Sequence, residues 1–482
     1  MNLVRELEGL DRVPWGRYGC VEIPAVLHAL SSADADRSDE AVEELYGLLL
    51  DQEAATAATV QVVPFIARLA AAGFRTSGLL YLLGRIAAIE NEVDIPPGAA
   101  RDAVAEQLPL LLPLLEHSDV EVRQPAVWAV AHCRKPEASW EAMATRWAVE
   151  REPAVRADLL FGCVLLDPMA TRPLVTEALR ADQHDQVRIA ALIAGLDAGL
   201  AWTRQSATAA VSLLPASDRI GRTPWLYDPF PEIIERLLAR RELNNAIDLA
   251  NAALNLTGPR HADARKEGLW GARLIGDQHP EVRVRLLPAM LPLVDDPETA
   301  VVGLVTRWRK HDSAVDQTLV DFASQEDPVA ADRALALLIS TDAPQAPSLL
   351  ARYLPQRPRA LAATSMSEAG GRIRYVRPMA CDPTLLNAIR ARLVEVDVSE
   401  EEAGHLLGLL GHWGPSARSA LPELLTALPR FPLLVPGVLA LVAIDTEADR
   451  AAAVEALQAA AHHTEGGPTA TEAVHKLTGK GA

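Results

Sequence analysis

The sequence predicts an all-α protein, a right-handed α-solenoid of stacked antiparallel helix pairs with two irregular insertions. Three observations predict it. The chain has 482 residues, more than the roughly 250 to 300 that one hydrophobic core serves, so it is either several domains or an elongated array. Apolar residues make up 49% of it and aromatics only 4%, the composition of cores built from Ala, Leu and Val, as stacked helices use. A Val-Arg phrase also recurs at a near-constant period, the signature of a repeat array.

Aligned on that phrase, four segments fall into register: EVRQPAVWAVAHC from Glu121, AVRADLLFGCVLL from Ala154, QVRIAALIAGLDA from Gln186 and EVRVRLLPAMLPL from Glu281. Val122, Val155 and Val187 are 33 and 32 residues apart, and Val282 lies 95 further on, close to three more periods. Four, five, eight and eleven residues beyond each valine stand Ala126, Val127, Val130 and Cys133; Leu159, Leu160, Cys163 and Leu166; Ala191, Leu192, Gly195 and Ala198; Leu286, Leu287, Met290 and Leu293. All are apolar or small. Residues three or four apart share a helical face, so each set is one stripe of an α-helix. Polar or acidic residues (Asp119, Glu152, Asp185) or prolines (Pro153, Pro280) precede these helices, where free N–H groups need a cap and a missing donor does no harm. The valine should then pack inward from the first turn, and its arginine should bond carbonyls or acids of the adjoining turn. The pair reads as the stitch between consecutive helical hairpins, none of which covers its apolar face alone.

These residues resemble HEAT repeats, in particular the short HEAT-like repeats of bacterial scaffold proteins, clearly over 117–199 and 261–340 and more weakly at GPSARSALPELLTAL from Gly414. Residues 13–90, with VPWGRYGCVEIPAVLHAL and EELYGLLLDQEAATAATVQVVPFIARLAA, resemble the N-terminal part of uncharacterised actinobacterial HEAT-repeat proteins. Members of that group often carry His-Gln-Gly where this chain has Asp51-Gln52-Glu53. The resemblance implies a scaffold fold and transfers no activity.

In order along the chain, residues 1–214 read as N-terminal repeats, 215–232 as an aromatic, Pro-rich loop and 233–355 as central repeats. Residues 356–383 read as an Arg-rich irregular insertion, 384–460 as C-terminal repeats and 461–482 as a flexible tail. The two interruptions matter because loops on a rigid scaffold carry side chains that packing does not dictate. The first, PASDRIGRTPWLYDPFPE, concentrates Trp225, Tyr227 and Phe230. The second places Arg372, Arg374, Tyr375 and Arg377 in an alternating run after a Gly-Gly pair, which reads as an extended strand or hairpin arm.

Charge divides along similar lines. From Arg352 to Arg392 there are eight arginines against Glu368 and Asp382, a local +6 in a chain of net charge -18. Such a patch attracts an anionic partner or ligand, or is taken up by acids along the stack. Arg outnumbers Lys 41 to 5, which reads as codon bias of a GC-rich genome. The overall acidity opposes nucleic-acid binding, which draws on phosphate neutralisation. The N-terminus has acids where a secretory signal has a basic region, and FPLLVPGVLALVAI from Phe431 is too short and too Pro-rich to span a membrane. A cytoplasmic protein without membrane attachment is the expectation. Cys20, Cys133, Cys163 and Cys381 lie far apart with no CxxC pair, as reduced structural thiols would.

Catalytic signatures are missing: there is no HExxH, GxSxG, Walker loop or GxGxxG. The acidic DADRSDEAVEEL from Asp34 lacks the Gly and Glu of a calcium loop, with Asp39 and Leu45 in their places. Glu401, His405 and His412 share a helical face, but with Leu and Gly between them they read as structural or surface residues. Neither a metal nor a cofactor is expected.

Three readings follow. The leading one is a non-catalytic scaffold that grips a partner protein through its concave face and loop insertions. Its binding residues would be Trp225, Tyr227, Asp228, Arg372, Arg374, Tyr375 and Arg377, if the two insertions wall one pocket. The second is an enzyme of bacterial specialised metabolism that holds an anionic small molecule in the concave cavity, with Asp228, Tyr227, Asp382 and His412 as candidates for acid-base work. The third, ranked last, is nucleic-acid binding.

Overall fold

A computed structural model describes residues 3–30, 32, 34–50, 54–221, 223–294, 301–310, 312–340, 343–354, 379–462 and 466–479. Among the described residues every regular element is a helix, with a lone bridge between Ala55 and Glu92 and no strand. The chain divides into two units, Met1–Gly271 and Ala272–Ala482.

The first unit contains α1 (Ala35–Leu49), α2 (Ala57–Ala71), α3 (Thr76–Ala88), α4 (Val120–His132), α5 (Pro136–Val149), α6 (Pro153–Leu166), α7 (Pro168–Ala178), α8 (Asp185–Asp197), α9 (Arg204–Ser212), α10 (Pro229–Ala239) and α11 (Leu243–Leu254). The unit boundary falls within α12 (Ala262–Gln278). Helices α3, α4, α6, α8 and α10 pack successively on one another as one layer. Helices α5 and α7 return the chain behind them, so that α4–α5 and α6–α7 are the repeating hairpins.

The Val-Arg stitch is observed. Val122, Val155, Val187 and Val282 are all buried, as are the apolar residues aligned beyond them. Arg123 donates to Glu150 at the end of α5, Nε to Oε2 at 2.8 Å and Nη2 to Oε1 at 3.2 Å, and to the carbonyls of His117 and Ser118, both at 2.9 Å. Arg156, one repeat later, donates to the Glu150 carbonyl at 3.1 Å and lies 4.0 Å over the ring of Trp147. In the second unit Arg283 donates to the Gly276 carbonyl at 2.8 Å and stands over Trp308. Each arginine thus satisfies helix-end carbonyls or acids that burial would leave unpaired.

The starts of these helices follow capping chemistry with one difference. Asp119 accepts the Glu121 N–H at 3.0 Å, and Pro153 opens α6 where no donor is needed. At α8 the cap is His184, whose Nδ1 accepts the Gln186 N–H at 3.2 Å, and Asp185 is the first helical residue.

The second unit contains α13 (Arg283–Met290), α14 (Val301–Arg309), α15 (Ser313–Ala323), α16 (Pro328–Ser340), α17 (Ala346–Tyr353), α18 (Pro383–Leu393), α19 (Glu400–Trp413), α20 (Leu421–Ala427), α21 (Val435–Val442), α22 (Glu447–Ala460) and α23 (Gly467–Thr478). Where a flexible tail was expected, α23 packs on α21 and α22 and buries Ala470, Ala473 and Leu477. Among the described residues no helix is long and apolar enough to cross a membrane.

Candidate functional site

The layer α4–α6–α8 is buried on two faces. One face lies against the returning helices, and the other lies under the described residues 215–221 and 223–228 of the first irregular segment, which we term the strap. This is why α4 and α6 bury residues all round their circumference rather than along one stripe.

The strap crosses the layer in reverse order. Glu267 of α12 fixes its start, its carboxylate accepting the Ala216 and Ser217 N–H groups at 2.9 Å and the Ser217 hydroxyl at 2.7 Å. Arg219 pairs with Asp185 of α8. Gly221 lies beside the Gln186 side chain, whose Nε2 would be 3.4 Å from a Cβ there. The Thr223 hydroxyl donates to Asp158 Oδ1 of α6 at 2.7 Å. Trp225 then sets its ring edge-on to Trp128 of α4, centroids 4.9 Å apart at 80°, with His132 also at 4.9 Å and Phe161 of α6 stacked at 5.8 Å. Helix α10 begins at Pro229, earlier than the Glu232 boundary expected from sequence, and Asp228 occupies its N-cap position.

Burial dominates the electrostatics under the strap. It pushes the Asp158 carboxyl up to about 7, against the opposing hydrogen bonds of Thr223 and Gln124. It pushes His132 down to about 4. The imidazole is therefore neutral, and because its Nδ1 is 2.9 Å from the Trp128 carbonyl, which only accepts, Nδ1 carries the proton. Burial also raises Asp228 and Glu267. Among the described residues Asp158 Oδ2, Gln186 Nε2, Trp128 Nε1 and Trp225 Nε1 are buried without a hydrogen-bond partner.

The residues singled out from sequence are distributed as follows. Trp225 is half-buried in the aromatic cluster, Tyr227 is fully exposed, and Asp228 sits beside it at the helix start. Arg372, Arg374, Tyr375 and Arg377 lie outside the described residues, as does the Asp51-Gln52-Glu53 stretch. In the second unit, Asp382 is engaged as an N-cap, accepting the Thr384 and Leu385 N–H groups at 2.9 and 3.0 Å, and His412 is exposed. Two arginines of the basic stretch are taken up by acids: Arg390 by Glu423 at 2.9 Å, and Arg392 by Glu402 at 2.6 Å and Asp397 at 2.7 Å. Among the described residues no three His, Cys, Asp or Glu side chains converge on a metal position. Cys133 and Cys163 are free thiols that burial pushes up to about 12. A separate cavity of about 270 Å³ beside α8 and α9, lined by residues such as Leu192, Leu196, Leu200 and Trp202, has no charged group in its wall.

Sequence reasoning missed Trp128, His132, Asp158 and Thr223. Gln124, Trp128 and His132, each four residues apart, form a second stripe on α4 beside the one used for alignment, and Asp158 is the lone acid of α6, followed by an apolar run to Leu166. Both signals mark a helix covered on a second side.

Residues 99–133 match the Armadillo/beta-catenin-like repeat. No curated protein matches the chain in sequence. Among solved structures the chain is similar to Kap121p bound to the SUMO protease Ulp1p, at 13% identity and TM-score 0.49, over 94% of this chain and 52% of that one. It is also similar to importin beta crystallised in an ammonium sulfate condition, at 13% identity and TM-score 0.36, over 96% and 62%. The chain spans about half the length of the karyopherin Kap121p (53% in its uncomplexed form).

Proposed function

We propose that the chain is a non-catalytic binding scaffold that holds a partner protein on the α4–α6–α8 layer and its strap. The observation that carries this reading is the strap itself. An irregular, Pro-containing segment is held across three successive repeats by side chains that each repeat supplies: Asp185 for Arg219, Asp158 for Thr223, and Trp128, His132 and Phe161 for Trp225. A helical layer that fixes one extended segment in this way has the chemistry to fix another, and repeat stacks offer such surface over many repeats. Tyr227 and Asp228 give the partner an exposed aromatic and an acid at the edge of this surface. Arg372, Arg374, Tyr375 and Arg377 belong to a second contact, for an acidic face of the partner, on the ground of their local charge alone.

The test is a photo-crosslinker. Benzoylphenylalanine in place of Tyr227, expressed in the native host, should trap one discrete protein adduct on illumination. A chain that remains uncrosslinked at every growth phase would overturn the proposal.

A further inference from the structure

We infer that the trough formed by Gln124, Trp128, His132, Asp158, Phe161 and Gln186 is the seat of an extended segment of the partner protein, bearing a hydroxyl residue two positions before an aromatic one, and that strap residues Arg219, Gly221, Thr223 and Trp225 occupy it until that segment displaces them. The inference deepens the scaffold reading and rests on it.

Three features of the strap support displacement. Its hold is through side chains: among the described residues no backbone hydrogen bond joins residues 220–227 to a helix, so nothing resembling a paired edge must be broken before it leaves. Its two ends are fixed independently of its centre. Glu267 clamps Ala216 and Ser217, and α10 packs on α8 from Pro229 onward. The centre can therefore lift while both attachments persist. Finally, the strap fills the trough incompletely. Asp158 is fully buried with Oδ1 on Thr223 and Oδ2 unpartnered, and Gln186 Nε2 faces Gly221, which has no side chain to accept from it. A competing segment with a donor for Asp158 Oδ2 and an acceptor where Gly221 lies would satisfy both groups.

The spacing of the strap's own contacts defines what the trough reads. A cation at Arg219 meets Asp185, a hydroxyl four residues on meets Asp158, and an indole two residues further enters the aromatic cluster. A competing segment should repeat that order. While the strap stays down, the apparent affinity for it falls by the fraction of chains with an open trough.

The experiment uses the full chain and, as probe, a fluorescein-labelled synthetic peptide of strap sequence, SDRIGRTPWLYD, from Ser217 to Asp228. Thr223→Ala with Trp225→Ala weakens the resident strap, and anisotropy titrations should give a Kd at least about tenfold lower for this variant than for the wild type. A probe carrying Ala for its Trp should lose that gain. Thr223→Val, a milder change that removes only the hydroxyl, should give a smaller gain in the same direction and serves if the double variant does not fold. Equal affinity of wild type and variants for the probe, or no binding by a folded variant, overturns the inference. Because the probe is the chain's own segment, that failure would leave a Tyr227-trapped partner standing, whereas loss of the crosslink with probe exchange intact would remove the scaffold reading and leave the trough as the seat of the chain's own strap only.

Discussion

The Thr223 hydroxyl and the Asp158 carboxylate, 65 residues apart in sequence, meet at 2.7 Å and tie the strap to the middle of the helical layer. Asp158 is fully buried and its second oxygen has no partner, so its charged form is costly there.

The first prediction concerns pH. Asp158 rises from an ordinary 3.8 to about 7 on folding. The folded state therefore holds a proton that the unfolded chain gives up, and the stability tied to protonated Asp158 is present below about pH 4 and is lost as pH rises to about 7. Asp158→Asn keeps the acceptor for Thr223 and places a donor where Oδ2 stands. Its melting temperature should exceed that of the wild type at pH 8, and the difference should shrink as the pH falls toward 4. A constant difference across that range would contradict the assignment.

His132 acts in the opposite sense. Its folded value of about 4 lies below the ordinary 6.5, so its stabilisation is present above pH 6.5 and is lost as pH falls through 4. In the wild type the two trends offset one another between these values. Asp158→Asn should therefore uncover a stability that increases from pH 4 to 6.5, and adding His132→Gln should flatten it again, as read by urea unfolding at each pH.

Gly84 faces the indole of Trp128, and a Cβ at that position would overlap its ring atoms, so that the indole must shift to admit it. Helix propensity alone would favour Gly84→Ala by up to about 1 kcal/mol. Overpacking should win, because Trp128 is already boxed in by His132 and Trp225. A net loss of about 1–2 kcal/mol, with a changed near-UV signal from the tryptophans, is the expected outcome of chemical unfolding.

Glu150 is almost fully buried and joins two arginines, Arg123 at 2.8 Å and Arg146 at 2.7 Å. Burial would raise its carboxyl, but Arg123, the N–H groups of Glu152 and Arg151, and Arg146 together hold it at about 2. Glu150→Gln takes the shared charge away from buried Arg123 and half-buried Arg146, which keep only the His117 and Ser118 carbonyls and Glu116, and should cost about 3 kcal/mol at neutral pH. The loss should diminish as acid titrates the wild-type carboxylate from about 4.5 toward 2.

Glu267→Ala removes the clamp on Ala216 and Ser217. Trypsin should then cut after Arg219 roughly tenfold faster than in the wild type, while the rest of the chain stays resistant. Unchanged cleavage would mean that the clamp does not hold the strap.

The period of the Val-Arg phrase is enough to align Val122, Val155, Val187 and Val282, to place the stripes beyond them in the core and to assign the arginines to neighbouring turns, because all of these are local consequences of 3.6 residues per turn and a fixed repeat length. The same periodicity marks residues 215–232 as irregular, the last four of which belong to the helix that begins at Pro229. It does not reveal what the segment touches.

Only the tertiary structure laid the strap back over α4 and α6, brought Trp225 to Trp128 and Thr223 to Asp158, and packed Gly467–Thr478 as a helix where a loose end was expected. These contacts join segments that share no period, and they form because burying an aromatic ring and satisfying a buried carboxylate are favourable wherever in the chain the partners lie. Helical stripes are written residue by residue, whereas the partner of an aperiodic segment is chosen by the surface that the finished stack presents to it.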